Sequence, residues 1–185
     1  MAGQVVWHIT TSLDGFIAGP NDSMDWVFER ASEPSSTAND VIVSTGAILA
    51  GRRWWDVAQE RYGGLDGIYG GAWVGPVFVL THRSTPPPAD PRLAFVSQGV
   101  PQAVALALEA AKGKNVVILG ANIAQQCLRA QLVDEIVVHI VPVLLGDGIR
   151  LIASQSIPKT ELEMASVVTS HSGQRIDVRL RVLKS

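Results

Sequence analysis

Three short segments rich in glycine, arginine or small polar residues could bind a phosphorylated ligand. Residues 51–55 (GRRWW), 81–83 (THR) and 120–123 (GANI) each follow a run of four apolar residues. Glycine lets a phosphate approach the backbone closely, the start of a helix offers free N–H groups, and a guanidinium binds two phosphate oxygens at once. If the apolar runs are neighbouring parallel strands, these segments meet at one edge of a sheet.

The elements that carry these segments follow from the hydrophobic pattern. Strand patterns lie at 5–11, 47–50, 77–80, 116–119 and 134–141, and helical patterns at 52–59, 101–111 and 123–128. Near the C-terminal end, apolar and charged residues alternate from Arg175 to Val182, and a Ser-Gly turn joins them to 163–169 in a predicted antiparallel hairpin. We assign the charged residues of this strand, Asp177 included, to a solvated face. The pattern predicts an α/β fold with a mixed sheet and helices on both faces, and residues 1–185 are expected to form one domain.

Composition and charge argue against several classes of protein. Hydrophobic residues make up 47% of the chain, which is enough for a large core, and the net charge of −2 argues against a nucleic-acid partner. No apolar run reaches the length of a membrane span, and the N-terminus lacks the features of a signal peptide. The single cysteine, Cys127, excludes an internal disulfide, and the four histidines show no metal-binding spacing, so we expect a cytoplasmic protein without a metal.

Four stretches resemble the dihydrofolate reductase-like family, in particular the branch formed by the reductase domain of riboflavin biosynthesis. They are residues 12–18 (SLDGFIA), 51–55 (GRRWW), 79–83 (VLTHR) and 119–121 (LGA), the last followed by 132–135 (LVDE) and 142–148 (PVLLGDG). Their order and spacing cover about residues 5–152, and the predicted hairpin matches the last strands of the family. The resemblance implies a stand-alone member with a dihydrofolate reductase-like fold: a three-layer α/β/α architecture with a central mixed sheet and a C-terminal antiparallel hairpin.

The same resemblance implies an NADPH-dependent reductase of a pyrimidine- or pterin-like heterocycle, similar to 5-amino-6-(5-phosphoribosylamino)uracil reductase. It favours NADPH over NADH because guanidinium groups recognise the 2′-phosphate. The implied cofactor-binding residues are Gly51, Arg52, Arg53, Trp54, Leu80, Thr81, Arg83, Leu119, Gly120, Ala121, Asn122 and Ile123. Relatives commonly form two-fold dimers, so we expect a homodimer that acts on a small molecule, with no nucleic-acid or membrane partner.

Two carboxylates are candidates for catalysis. Asp14 lies in the stretch that the family uses at the nicotinamide and substrate end, although an aspartate before Gly15 is also common in ordinary turns. Asp25 lies in a predicted first helix that residues 21–23 (NDS) can cap and that runs to Arg30. Dihydrofolate reductases proper carry an acid on their first helix that holds the substrate ring. The alternative for Asp25 is an acid in the first turn of a helix, which the helix dipole favours.

Two further functions stay open at the level of sequence. Dihydrofolate reduction proper would require Asp25 to face the cleft. A dinucleotide-binding protein without turnover is suggested by two departures from the family pattern, since Leu119 replaces the usual glycine before Gly120 and Trp54 replaces the usual threonine.

The remaining polar and aromatic candidates are ambiguous. The glycine-rich segment 63–75, which contains Tyr69 and follows Tyr62, is either a substrate lid or a surface insertion. His8 and His139 lie within predicted strands, and we interpret them as hydrogen-bonded residues of the sheet.

Overall fold

A mixed sheet forms the centre of the molecule. The computed structural model describes residues 3–30, 33–83, 86–153 and 157–184, and eight strands within these ranges form the sheet. They are β1 (Val5–Ser12), β3 (Thr45–Gly51), β4 (Val77–Leu80), β5 (Leu93–Val96), β6 (Asn115–Leu119), β7 (Glu135–Val141), β9 (Glu161–Thr169) and β10 (Ile176–Leu183). Two short strands, β2 (Phe16–Ala18) and β8 (Ile149–Arg150), pair with each other outside this sheet.

The strand order is β5-β4-β3-β6-β1-β7-β10-β9. Neighbours from β5 to β7 pair in parallel, whereas β10 pairs antiparallel with β7 and with β9. Parallel strands need crossover connections, and helices supply most of them here. The apolar runs 47–50 and 116–119 pack against the core on both faces, as expected for central parallel strands. The predicted mixed sheet with a C-terminal antiparallel hairpin is therefore confirmed.

Helices cover the two faces of the sheet. The helices are α1 (Asp25–Arg30), α2 (Ser36–Ser44), α3 (Arg52–Arg61), α4 (Val100–Ala110) and α5 (Ala121–Arg129). Helices α4 and α5 pack with alternate strand residues such as Leu49 and Ile118 on one face. Residues from α2 and α3, including Val41 and Trp55, pack with Ile48 on the other. This arrangement confirms the predicted three-layer architecture.

The glycine-rich segment contributes to the core as well as to the surface. Gly64–Gly71 forms consecutive 3-10 turns, and Leu65, Ile68 and Trp73 are buried against the face that carries α3. The indole nitrogen of Trp73 donates a hydrogen bond to the carbonyl of Thr45. The segment is therefore fixed to the sheet through its apolar side chains.

Helix α2 and strand β5, like the short strands β2 and β8, were not predicted from the sequence. Helix α2 begins after Ser35, whose hydroxyl accepts a hydrogen bond from the amide of Ala38. Strand β5 has only four residues and pairs at the edge of the sheet with β4. Within the described ranges, no helix has the length and apolar character needed to cross a bilayer.

The different burial of two leucines predicts that their replacement by alanine affects the free energy of unfolding differently. Leu49 is fully buried in β3, whereas the side chain of Leu13 is 65% exposed. We expect Leu49→Ala to lower the free energy of unfolding by about 2–5 kcal/mol, because it leaves a cavity in a closely packed interior. The matched control Leu13→Ala should change it by less than about 0.5 kcal/mol. Urea denaturation followed by circular dichroism measures both, and similar losses for the two variants would contradict this packing.

Candidate functional site

The three segments singled out in the sequence meet at one edge of the sheet. Strands β4, β3 and β6 are neighbours and run parallel, with Gly51 opposite Leu80 and Ala50 opposite Leu119. Because their carboxyl ends lie side by side, the residues that follow each strand surround one crevice. The crevice opens into a cavity of about 1140 Å³.

All twelve residues predicted to bind the cofactor line this cavity. They are Gly51, Arg52, Arg53, Trp54, Leu80, Thr81, Arg83, Leu119, Gly120, Ala121, Asn122 and Ile123. Their contact with a cofactor stays a prediction, but the structure places them together as that prediction requires.

Two helices begin at the cavity. Helix α3 starts after Gly51 and α5 after Gly120, and neither helix has a side chain that caps its first turn. Gly120 has a φ of +100°, a conformation that favours glycine, while Leu119 belongs to β6 and needs no such freedom. An ideal Cβ at Gly120 would lie 3.5 Å from the Cβ of Trp54, so this tryptophan packs where the two helix starts meet.

Three guanidinium groups surround the same end of the cavity. Asp56 accepts from Arg52 at 2.6 Å and from Arg83 at 3.4 Å, and Arg53 pairs with Asp22 at 2.9 Å. Within the described part of the chain, Nη1 of Arg52 is buried and has no hydrogen-bond partner. A buried donor of this kind is costly unless a ligand satisfies it, so the group fits an anion bound at the start of α3.

Asp14 joins two distant parts of the chain. Its carboxylate accepts hydrogen bonds from the Ser12 hydroxyl at 2.6 Å and from the backbone amides of Leu145 at 3.1 Å and Gly146 at 2.8 Å. These bonds, that from Ser12 first, lower the pKa of Asp14 to about 2. Asp14 therefore fixes the turn after β1 to the loop after β7.

Neither predicted catalytic carboxylate lines the cavity. Asp14 is engaged by the loop after β7, and Asp25 accepts a hydrogen bond from the Ser23 hydroxyl at the exposed start of α1. The arrangement of Asp25 matches the alternative of an ordinary acid in the first turn of a helix. The catalytic role of both carboxylates stays a prediction without support from the geometry.

A pair of backbone segments forms another wall of the cavity. Strands β2 and β8 contribute Ile17, Ala18, Ile149 and Arg150 to its lining. Gly148 precedes β8 with a φ of +130°, and an ideal Cβ there would lie 2.1 Å from the carbonyl oxygen of Ala18. Only glycine permits this close approach of the two backbones.

A row of hydrogen-bonded polar side chains lies on the sheet at the other end of the cavity. The Tyr69 hydroxyl lies 2.7 Å from Nδ1 of His8, and Nε2 of His8 lies 2.7 Å from Nε2 of His139. Nδ1 of His139 lies 2.6 Å from Oδ1 of Asp177. The row crosses β1, β7 and β10, and Tyr69, His8 and His139 line the cavity. We call these four side chains the polar row.

Further hydrogen bonds hold the buried end of the polar row. Arg175 donates from Nε to Asp177 at 2.7 Å and from Nη1 to the carbonyl of Glu33 at 2.8 Å. The Ser35 hydroxyl donates to the other carboxylate oxygen of Asp177 at 2.6 Å. The prediction that Arg175 and Asp177 lie on a solvated face is wrong, because only 4% and 2% of their surfaces are exposed, whereas Ile176 between them is 40% exposed.

Burial and hydrogen bonding shift the pKa values of three members of the polar row, His8, Tyr69 and Asp177. Burial, with a smaller contribution from His139, lowers the pKa of His8 to about 3, so that His8 is neutral near pH 7. Burial also raises the pKa of the Tyr69 hydroxyl above its ordinary value. For Asp177, burial opposes ionisation, but the hydrogen bonds from His139, Ser35 and Arg175 outweigh it and lower the pKa of the carboxyl below its usual range.

The sequence did contain a signal for this row. One histidine interrupts the apolar run of each of two central strands, His8 in VVWHI of β1 and His139 in IVVHIV of β7. Arg175 directly precedes β10 and Asp177 is its second residue, so this basic and this acidic side chain are spaced two apart and lie on the same side of the strand.

Comparison with known proteins identifies the family. The RibD C-terminal domain family matches residues 4–176. The chain belongs to this family. An uncharacterized protein of Bacillus subtilis, YwjB, is 26% identical over 159 residues, which are 82% of this chain and 83% of YwjB.

Solved structures show that two other proteins share the fold of this RibD C-terminal domain. A putative riboflavin biosynthesis protein from Shewanella sp. PV-4 has a TM-score of 0.81 at 22% identity, over 98% of this chain and 99% of that protein. A diaminohydroxyphosphoribosylaminopyrimidine deaminase/5-amino-6-(5-phosphoribosylamino)uracil reductase from Thermotoga maritima has a TM-score of 0.65 at 14% identity. This chain is covered over 98% of its length, but it spans only 57% of the Thermotoga protein.

The contacts of Asp14 predict how the stability of the RibD C-terminal domain depends on pH. Its folded pKa of about 2 lies below the ordinary value of about 3.9, so the carboxylate stabilises the fold above pH ~4, and this contribution is lost as the pH falls towards 2. We expect Asp14→Asn to unfold at lower urea concentration than the wild type at pH 7. The difference should shrink between pH 4 and pH 2, and a difference that stays constant over this interval would contradict the stabilising role of the ionised Asp14 carboxylate.

Proposed function

We propose that this RibD C-terminal domain is an NADPH-dependent reductase of a pyrimidine- or pterin-like heterocycle, and that its first candidate substrate is 5-amino-6-(5-phosphoribosylamino)uracil. One observation carries the proposal: the three segments after β3, β4 and β6 meet at one cavity with two uncapped helix starts and three arginines. Membership of the family and the activity named for the Thermotoga protein of similar fold support the same function.

The residues at the cofactor end fit a 2′-phosphorylated dinucleotide. The unpaired Nη1 of Arg52 and the neighbouring guanidinium of Arg83 would hold the 2′-phosphate, and the amides at the start of α5 would hold the pyrophosphate. Bound NADPH would supply the hydride. The fixed positions of these groups would orient the dinucleotide along the carboxyl ends of the strands.

The size and lining of the cavity leave room for a second molecule. Pockets for a single drug-sized ligand measure about 300–1,000 Å³, and this cavity of about 1140 Å³ exceeds that range. On the wall formed by β2 and β8, the guanidinium of Arg150 stacks 4.5 Å from the centre of the Phe16 ring. A cation in this position favours an anionic substrate such as a phosphoribosyl compound.

We also propose a cellular compartment and an oligomeric state for the protein. The lone cysteine, Cys127, is buried and has no second cysteine to pair with, which suits a chain that acts without an internal disulfide in the reducing cytoplasm. Residues 1–185 act as one reductase domain. Two copies form a homodimer through the hairpin of β9 and β10.

The surface of this hairpin supports the homodimer. Every residue of β9 is exposed, including four large apolar ones, and exposed apolar side chains on an edge strand promote pairing with another chain. Leu162, Met164 and Val167 pair with apolar residues of β10 and share one face with the exposed Ile176. A contiguous apolar row on the surface marks a protein interface, and the two-fold association of identical rows buries it.

Cofactor preference tests the proposed reductase. We expect NADPH to quench tryptophan fluorescence at lower concentration than NADH, because only NADPH carries the 2′-phosphate. Arg52→Gln should weaken NADPH binding roughly 10- to 100-fold, which corresponds to the loss of a hydrogen bond between charged groups, and should change NADH binding little. The matched control is Arg61→Gln at the other end of α3, whose guanidinium donates to the carbonyl of Asn21.

Several outcomes would contradict the proposed function. Absence of quenching by both nucleotides would exclude the cofactor site, and equal effects of Arg52→Gln and Arg61→Gln would exclude the assigned phosphate position. With 5-amino-6-(5-phosphoribosylamino)uracil present, the wild type should oxidise NADPH. If NADPH binds but is oxidised neither with this compound nor with dihydrofolate, the result would instead support a dinucleotide-binding protein without turnover.

The homodimer predicts that a charge on the hairpin separates the copies. Val167→Glu should convert a dimer into a monomer in light scattering coupled to gel filtration, because it buries a charge in an apolar interface. Val43→Glu places the same charge on the exposed side of α2 and should leave the dimer intact. A monomeric wild type, or a dimeric Val167→Glu protein, would contradict this interface.

A further inference from the structure

The side chains of the polar row form one continuous chain of hydrogen bonds, which burial alone does not require. A buried polar group needs a hydrogen-bond partner, but here each side chain bonds the next in a single file from the cavity to a carboxylate. The contact between His8 and His139 joins two Nε2 atoms, so one proton, and only one, must lie between them. This requirement links the protonation of every member of the row.

With both histidines neutral, one arrangement of protons satisfies the row. The ionised Asp177 accepts from Nδ1–H of His139, which leaves Nε2 of His139 as an acceptor. His8 then donates from Nε2 and accepts at Nδ1 from the Tyr69 hydroxyl. Every donor points towards Asp177, and the hydroxyl proton of Tyr69 is directed away from the cavity.

One additional proton reverses the row. His139 then carries protons on both nitrogens, donates from Nε2 to His8, and keeps its bond to Asp177. His8 donates from Nδ1 to the oxygen of Tyr69, which frees the hydroxyl proton of Tyr69 to point into the cavity. Both arrangements use the same heavy-atom positions, so a proton moves along the row without any movement of the chain.

The backbone holds Tyr69 in position at the end of this row. Tyr69 has a φ of +52° and is followed by Gly70 at +64° and Gly71 at +84°. A left-handed conformation is uncommon and energetically unfavourable for a residue other than glycine. The buried side chains of Leu65, Ile68 and Trp73 fix the segment on either side, so the core maintains this conformation.

We propose that Tyr69 is the proton donor of the reduction and that His8, His139 and Asp177 supply its proton. The inference rests on the proposed reductase function and adds to it the source of the second hydrogen. It also accounts for Tyr69, His8 and His139 sharing the cavity with the loops assigned to NADPH. Tyr69 and His8 lie at the end of the row that a bound substrate can reach.

The proposed reduction transfers one hydride and one proton to the substrate. A C=N or C=O bond of the substrate is reduced by two electrons: its carbon gains the hydride that NADPH supplies, and its heteroatom gains the hydroxyl proton of Tyr69. Tyr69 recovers a proton from Nδ1 of His8, and His8 recovers one at Nε2 from His139. His139 is left neutral beside the ionised Asp177. Water in the open cavity returns one proton to the row before the next turnover.

The charges around the row support a mobile proton rather than a fixed one. Asp177 attracts the additional proton, whereas Arg175, bound to the same carboxylate oxygen, opposes it. Arg179 on β10 further opposes a charge on His8, and Glu135 on β7 pairs with Arg179 at 2.7 Å. Attraction and repulsion therefore act together at the buried end of the row.

Nuclear magnetic resonance of histidine labelled with ¹⁵N tests the row without any ligand. In the wild type we expect Nδ1 of His139 to be protonated and a single proton to be shared by the two Nε2 atoms. Tyr69→Phe should shift the Nδ1 signal of His8 and leave the exposed His82 and His171 unchanged. Two separately protonated Nε2 atoms, or a His8 signal that Tyr69→Phe does not move, would overturn the proposal.

Single-turnover kinetics with NADPH and 5-amino-6-(5-phosphoribosylamino)uracil test the donor. Tyr69→Phe should slow NADPH oxidation about 10²- to 10⁴-fold, as expected for loss of a general acid, while tryptophan quenching by NADPH stays unchanged. The matched control is Tyr62→Phe, whose ring packs 5.9 Å from that of Phe28. Equal rates for the two variants would overturn the donor, whereas a wild type that does not bind NADPH would contradict the proposed function instead.

Discussion

The hydrogen bonds between parallel strands bring the carboxyl ends of β4, β3, β6 and β1 to one edge of the sheet, and the groups of the candidate site follow from that alignment. The register that places Gly51 opposite Leu80 also places the starts of α3 and α5 next to each other. A shift of one strand by two residues would separate the guanidinium groups by several ångströms. The site therefore depends on strand register before it depends on any side chain.

One face of the sheet is apolar and the other carries the two histidines, because successive side chains of a strand point to opposite faces. On the face of α4 and α5, the strands contribute apolar residues to the core. On the other face, β1 and β7 place His8 and His139 where α3 and the segment 64–71 leave the sheet open to the cavity. A buried polar group without a partner costs about 1–3 kcal/mol, so these positions tolerate histidine only because Asp177 and Tyr69 complete the row.

The sequence predicted what is encoded locally. The apolar runs before Gly51 and Gly120 identified the central strands, and the residues after them identified the loops that line the cavity. The face of Asp177 could not be predicted, since alternation defines two faces of a strand without showing which one another element covers. The contacts of Asp14 depend on Leu145 and Gly146, more than 130 residues away, and Tyr69 reaches the cavity through a backbone conformation that composition does not reveal.

The contact of Gly148 with the carbonyl of Ala18 has a consequence for how this scaffold can change its ligand. Because two backbones touch there, the spacing of β2 and β8 is set by main-chain atoms and does not vary with the side chains they carry. Exchange of Ile17 or Ile149 therefore alters the volume and polarity of the wall while its position stays constant. Divergence of substrate range within such a scaffold can proceed at these two side chains, and the glycine between Asp147 and Ile149 has to persist throughout.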